Sequence, residues 1–146
     1  MADDSDFLIV YGTLRPGFTN SPAQYLRQHS QYVGEGTFPG LLVDLGTYPG
    51  ALYQPDSQTR VWGTVYQLGN DKYQLLDRLD EYEGVGESFQ QPTEYVRTLI
   101  PVRCGTETLT CWVYLYNLST DGNLCIQSGD YVTYCLERIT INNSNL

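Results

Sequence analysis

One glutamate occupies a position where a helical pattern calls for an apolar side chain. Glu83 follows Leu79 by four residues and Leu76 by seven, so the three side chains share one helix face. Burial and the negative end of the helix dipole both disfavour an ionised carboxylate and raise its pKa. A carboxylate that titrates near neutral pH is suited to general acid/base catalysis. The pattern leaves open the alternative that Glu83 turns into solvent at the helix end.

The neighbouring acids have a different spacing. Asp77, Asp80 and Glu81 fall off the apolar face of the same helix. We therefore expect these three carboxylates to form an ordinary solvated surface without a catalytic role.

A second candidate is the segment from Tyr11 to Gly17, where an apolar run opens into a loop with a glycine near each end. Glycine lets a ligand approach the main chain closely, and successive free N–H groups form an anion-binding concavity. No Lys-Ser or Lys-Thr follows Gly17, which excludes a nucleotide P-loop. A tight turn with a structural Arg15 is the alternative interpretation.

The elements that position these groups are strands and helices in mixed order. Apolar runs and turn signals predict strands over residues 7–11, 40–45, 51–53, 60–68, 95–104 and 108–117. Helices are predicted over residues 22–29, with Ser21 as the N-cap, and from an Asn70 or Asp71 cap to the Gly84 stop. The predicted fold is α+β, a curved mixed sheet or small barrel with two main helices. It forms one domain over residues 1–146, with a polar, frayed tail from about residue 142.

Composition excludes several classes of partner. The formal net charge is −9 and Lys72 is the only lysine, which argues against nucleic acid and anionic membrane surfaces as partners. Four cysteines without a C-x-x-C pair, and His29 as the only histidine, make a metal site unexpected and favour reduced thiols. We find no apolar run that could span a bilayer and no signal-peptide pattern, so we expect a cytoplasmic location.

Two ordered motifs resemble a known family. Tyr11-Gly12-Thr13-Leu14 after an N-terminal apolar strand, followed about seventy residues later by Leu79-Asp80-Glu81-Tyr82-Glu83-Gly84, is similar to the γ-glutamylcyclotransferase and AIG2-like family. Further similarities are Tyr48-Pro49-Gly50, Tyr95-x-Arg97 and Ser128-Gly129-Asp130-Tyr131. The family often has tryptophan where Tyr131 stands.

The resemblance implies a reaction and a set of residues. Family members release 5-oxoproline from γ-glutamyl compounds by attack of the substrate's α-amine on its γ-carbonyl, without a cofactor or metal. The resemblance also implies that Glu83 is the catalytic carboxylate and that the substrate is a small γ-glutamyl molecule. The residues implied to bind that substrate are Tyr11, Gly12, Thr13, Leu14, Pro49, Gly50, Tyr95 and Tyr131. For Arg15 and Arg97 we expect salt bridges that hold the fold.

Several questions stay open at this level. A non-catalytic module that binds a small acidic metabolite on the same fold is the main alternative, although a buried carboxylate does not help to bind an anion. A Ser-His hydrolase has little support, because no Gly-x-Ser-x-Gly motif accompanies His29. The leaving group of the substrate and the oligomeric state cannot be read from the sequence.

Overall fold

The computed structural model describes residues 3–144. The strands are β1 (Phe7–Val10), β2 (Ser30–Asp44), β3 (Pro49–Tyr53), β4 (Arg60–Leu68), β5 (Tyr95–Cys104) and β6 (Glu107–Tyr116). The helices are α1 (Ser21–Gln28), α2 (Lys72–Glu83) and α3 (Tyr131–Ser144). Within these residues, no helix is both long and apolar enough to cross a membrane.

Five of the strands close into a barrel. Their order is β2-β4-β1-β6-β5, and β5 pairs again with β2 at Thr37 and Arg103, while β3 extends the sheet beyond β2. The β1 and β6 strands are parallel and the other pairs are antiparallel. The predicted α+β class with a curved mixed sheet is therefore confirmed in its barrel form.

The side chains of β1 pack into two separate cores, because successive side chains of a strand point to opposite faces. Ile9 belongs to a cluster to which all five barrel strands contribute, which fills the barrel interior. Leu8 and Val10 belong to a second cluster, which joins the outer face of the barrel to α1 and α2. A strand covered on both sides explains why the apolar run is continuous rather than alternating.

Helix α2 places its leucines in this second core. Leu75, Leu76 and Leu79 are fully buried, and the helix ends at Gly84, whose φ of 72° is the left-handed conformation typical of a C-cap glycine. Asp71 occupies the N-cap position, but its carboxylate contacts the ring of His29 instead of capping the helix. The predicted helix and its stop are confirmed.

The expectation of a solvated Asp80 is wrong. Its carboxylate accepts hydrogen bonds from Arg97 Nε at 2.7 Å, Arg97 Nη2 at 3.0 Å and the Tyr114 hydroxyl at 2.7 Å. The Arg97 guanidinium also lies over the Trp112 ring, 4.4 Å from its centroid. Helical spacing places Asp80 beside the apolar face, but only the packing of α2 on β5 and β6 brings these partners to it. This ion pair anchors the last turn of α2.

Two boundaries differ from the prediction, and one helix was not predicted. Asn20, not Ser21, caps α1, because its side-chain oxygen accepts from the N–H of Ala23. β2 is one strand of 15 residues rather than a short one beginning at residue 40. α3 is an additional helix that sequence patterns did not predict, and it reaches Ser144, within the segment expected to be frayed.

Candidate functional site

A cavity of about 370 Å³ opens at one end of the barrel. It lies where β1 ends, where β3 and β5 begin and where α2 stops. The sequence-predicted residues that line it are Tyr11, Gly12, Thr13, Leu14, Pro49, Glu83 and Tyr95. The volume is in the range of small-molecule sites. The two motifs, separated by about seventy residues, therefore meet in one wall.

Glu83 lies in this wall as the last residue of α2. Its carboxylate has neither a hydrogen-bond nor an ion-pair partner among residues 3–144. Burial, and secondarily the nearby charge of Glu94, raises the pKa of Glu83 from the usual 4.5 to about 7. The carboxylate can thus exchange a proton at neutral pH, which is what a general acid/base requires.

The loop after β1 lines the same cavity and carries unpaired N–H donors. The carbonyl of Gly12 accepts from the N–H of Arg15 at 3.1 Å, and that of Thr13 accepts from the Asn20 amide at 2.8 Å. In the described part of the chain, the N–H groups of Gly12, Thr13 and Leu14 donate no hydrogen bond. Three successive free N–H groups that line a cavity are suited to hold an anion.

Gly12 is required at its position because Pro49 lies directly against it. A Cβ atom added there would come within 2.9 Å of Pro49 Cγ and 3.0 Å of Pro49 Cδ. Real side chains do not tolerate such distances without a shift of their neighbours. The close contact between this loop and β3 therefore selects glycine at position 12.

Two buried tyrosines line the wall, and the hydroxyl of each is already hydrogen-bonded. Tyr11 donates to the carbonyl of Tyr114 and accepts from the N–H of Ala51, while Tyr95 donates to the carbonyl of Pro49 at 2.7 Å. Burial, followed by nearby negative charges, raises the pKa of both hydroxyls above the ordinary value. They remain neutral at physiological pH, so proton exchange in this wall falls to the carboxylates.

Comparison with known proteins identifies the family. The sequence matches the family described as "Gamma-glutamyl cyclotransferase, AIG2-like" over residues 8–133. The chain belongs to this AIG2-like family. It is 30% identical over 131 residues to the gamma-L-glutamyl-butirosin B gamma-glutamyl cyclotransferase of Niallia circulans, covering 89% of this chain and 78% of that protein. It is 33% identical over 126 residues to the family protein YtfP of Escherichia coli, covering 86% and 95% of the two chains.

A solved structure shares the fold. The crystal structure of YkqA from Bacillus subtilis superposes with a TM-score of 0.70 over 94% of this chain, at 22% identity. This chain spans 43% of that protein. At this identity the likeness concerns the fold alone.

In this AIG2-like chain, two of the residues expected to bind substrate lie outside the cavity wall. Gly50 packs against Tyr116, and a Cβ added there would come within 2.8 Å of the Tyr116 Cβ. Tyr131 stacks on Phe18 with ring centroids 6.1 Å apart, and its hydroxyl donates to the carbonyl of Thr47, which does line the cavity. We propose that Gly50 and Tyr131 support the wall from behind.

Sequence reasoning missed half of the lining. These residues are Ile9, Val10, Thr47, Tyr48, Tyr82, Glu94 and Tyr114. The most consequential is Glu94, whose carboxylate accepts a hydrogen bond from the Tyr48 hydroxyl at 2.6 Å. The available signal was its place directly before Tyr95, a residue already assigned to the pocket.

The two arginines near the motifs hold the fold, as expected. Buried Arg15 pairs with Asp130 at 2.7 Å and Glu35 at 3.0 Å, which ties the loop after β1 to the start of α3. Arg97 pairs with Asp80, as described above. Residues 3–144 contain no cluster of three or more His, Cys, Asp or Glu side chains that could hold a metal ion.

Proposed function

We propose that this AIG2-like protein releases 5-oxoproline from a γ-glutamyl compound, with Glu83 as its general acid/base. The observation that carries the proposal is the unpaired Glu83 carboxylate, with a pKa of about 7, in one cavity wall with the free N–H groups of the Gly12 loop. Family membership supports the reaction class.

The reaction is an intramolecular acyl transfer. The substrate's α-amine nitrogen forms a bond to its γ-carbonyl carbon, the bond from that carbon to the leaving amine breaks, and 5-oxoproline and a free amine result. A five-membered ring closure has much of its entropy cost already met, and intramolecular advantages can reach ~7–11 kcal/mol. The protein therefore needs to supply orientation, proton transfer and charge stabilisation.

Glu83 performs the proton transfers in this scheme. The α-amine attacks in its neutral form; as a carboxylate Glu83 takes one proton from the attacking nitrogen, which keeps one hydrogen in the lactam, and as a carboxylic acid it gives that proton to the leaving nitrogen. A pKa of about 7 makes both states accessible in the same cycle. The neutral, hydrogen-bonded tyrosines of the wall do not compete for the proton.

The free N–H groups of Gly12, Thr13 and Leu14 hold negative charge. In this proposal they bind either the substrate's α-carboxylate or the oxyanion that develops on the γ-carbonyl. An oxyanion donor of this kind is worth roughly 3 kcal/mol in the transition state. Pro49, Tyr11 and Tyr95 form the apolar sides of the slot for the glutamyl carbons.

The test is a substrate panel. Purified protein is incubated with γ-glutamyl amino acids, γ-glutamyl amines, glutathione and γ-glutamyl-ε-lysine, with and without a chelator, and 5-oxoproline is quantified by chromatography. The panel includes γ-L-glutamyl-butirosin B, because the Niallia circulans relative is named for that compound. We expect release from at least one compound, undiminished by chelator. Binding of γ-glutamyl compounds by calorimetry without any release would instead support the non-catalytic binding module.

A further inference from the structure

The cavity that holds Glu83 contains a second carboxylate, Glu94. The other ionisable side chains that line it are tyrosines, namely Tyr11, Tyr48, Tyr82, Tyr95 and Tyr114. Among residues 3–144, no lysine, arginine or histidine lines the cavity, and the Arg97 guanidinium pairs with Asp80 outside this lining. Two carboxylates therefore share one confined space without a cation between them, and each disfavours the charged form of the other.

Glu94 is fixed in the wall by its backbone and by its side chain. Its backbone carbonyl accepts from the N–H of Asn117 at 2.8 Å, directly before β5 begins. Its carboxylate accepts from the Tyr48 hydroxyl at 2.6 Å and, in the described part of the chain, forms no ion pair. The charge of Glu94 thus keeps a defined place in the wall and is not neutralised by a neighbouring cation.

The two carboxylates differ in their hydrogen bonding. A hydrogen bond donated to a carboxylate favours its charged form. Glu94 receives one from Tyr48, whereas Glu83 receives none within residues 3–144. Burial further disfavours a charge on Glu83 and is the main reason why its pKa is raised. When the pair holds a single proton, that proton therefore resides on Glu83 and the negative charge on Glu94.

The tyrosines around Glu94 keep their protons while Glu83 titrates. The hydrogen bond to Glu94, followed by burial, raises the pKa of the Tyr48 hydroxyl to about 12, so Tyr48 continues to donate. Tyr95 and Tyr116 also lie within electrostatic reach of Glu94, and burial is the main cause of their raised pKa values. None of these hydroxyls changes charge near neutral pH, where Glu83 does.

We propose that Glu94 is a positioning residue that acts through Glu83, because its fixed charge holds Glu83 in the acid form until the proton passes to the leaving nitrogen. The inference rests on the proposed 5-oxoproline release and adds to it a second carboxylate with a different duty. In this scheme Glu94 neither exchanges a proton nor touches the reacting atoms. After burial, the charge of Glu94 is the second cause of the raised pKa of Glu83, which agrees with the arrangement of the two groups.

The experiment measures the protonation of Glu83 without requiring a substrate. The glutamate side-chain carboxyls are labelled with carbon-13, and their NMR shifts are followed from about pH 4 to pH 9, which spans the midpoint expected for Glu83. The signal of Glu83 is the one that is missing from Glu83→Gln. Its titration midpoint is compared in the wild type, Glu94→Gln and Glu87→Gln. Glu87 is an exposed glutamate outside the cavity lining and serves as the matched control.

In Glu94→Gln, the midpoint of Glu83 should fall by roughly 0.5 in pH, a threefold weaker affinity for the proton, because a partly exposed like charge is removed while burial remains. Glu87→Gln should leave the midpoint unchanged. Added salt should lower the wild-type midpoint toward that of Glu94→Gln, since salt screens charge and does not alter burial. With a compound that releases 5-oxoproline, kcat/KM of Glu94→Gln should reach its plateau at a pH lower by the same amount.

Three results would overturn the inference. An equal midpoint in Glu94→Gln and the wild type shows that Glu94 does not control the proton of Glu83, and it leaves the proposed function intact. A midpoint difference that persists at full size in high salt shows altered packing rather than a lost charge. A lowered midpoint without release from any compound of the panel refutes the proposed function, and the role of Glu94 in the reaction fails with it.

Discussion

Replacing Glu83 by glutamine tests the catalytic assignment and the burial of the carboxylate together. The substitution keeps the size of the side chain and removes its charge. Burial raises the pKa of Glu83 from 4.5 to about 7. At about 1.36 kcal/mol for each pKa unit, this corresponds to roughly 3 kcal/mol against the ionised form in the folded state. Partial exposure of Glu83 to solvent reduces the expected effect to about 1–3 kcal/mol.

The sign of the stability change depends on pH. Between about pH 4.5 and pH 7 the folded protein retains a proton on Glu83 that the unfolded chain has released, so wild-type stability falls as pH rises through this interval. Glu83→Gln has no ionisable group at this position, so its stability does not fall with pH for this reason. The variant should therefore match the wild type near pH 4.5 and exceed it by about 1–3 kcal/mol at pH 8, which is a rise in Tm of several degrees.

Turnover should change in the opposite direction. General acid–base catalysis contributes ~10²–10⁴-fold, so Glu83→Gln should lose at least that order in kcat while substrate affinity is kept or improved. In the wild type, kcat/KM should rise as pH increases through about 7, because the base form of Glu83 is required. Glu81→Gln, on the exposed face of the same helix, is the matched control and should change neither rate nor stability.

The assays are 5-oxoproline release and thermal unfolding at pH 5 and pH 8. Wild-type turnover by Glu83→Gln would refute the catalytic role. A stability difference that is the same at both pH values would refute the raised pKa. A large catalytic loss in Glu81→Gln would show that the phase of α2 has been assigned incorrectly.

Asp80→Asn should lower the free energy of unfolding by about 2 kcal/mol, because it breaks the bidentate pair with Arg97 that anchors α2. The control Asp77→Asn, at an exposed position, should change the free energy of unfolding by less than about 0.5 kcal/mol. Urea titrations measure both variants, and equal effects would contradict the anchoring role of Asp80. Gly12→Val should reduce turnover and ligand binding together, since its Cβ would collide with Pro49; wild-type kinetics in the folded variant would show that the loop is only a turn. All four cysteines should titrate as free thiols with a thiol reagent. Cys111 should react most slowly, because burial raises its pKa to about 12. Two stable disulfides in freshly isolated protein would contradict this prediction.

Local patterns determined the elements and the two motifs. The continuous apolar run before Gly12 predicts a strand covered on both faces, and β1 joins two cores as that pattern requires. The spacing of Leu76, Leu79 and Glu83 predicts one buried helix face, and Gly84 predicts its end. Such signals are readable because strand and helix periodicities are properties of the chain itself.

Tertiary structure decided which groups meet. Asp80 follows buried Leu76 by four residues and so lies beside the apolar face of α2, but only the hairpin of β5 and β6 brings Arg97 and Tyr114 to it across the sequence. Glu94 carries no periodic signal, and only the closure of the barrel places it beside Tyr48. The raised pKa of Glu83 likewise depends on burial, in a cavity lined by residues of several strands. Periodicity describes one helix or strand at a time, whereas burial and charge pairing arise between elements. The sequence therefore identified Glu83 as the candidate carboxylate but not the groups that surround it.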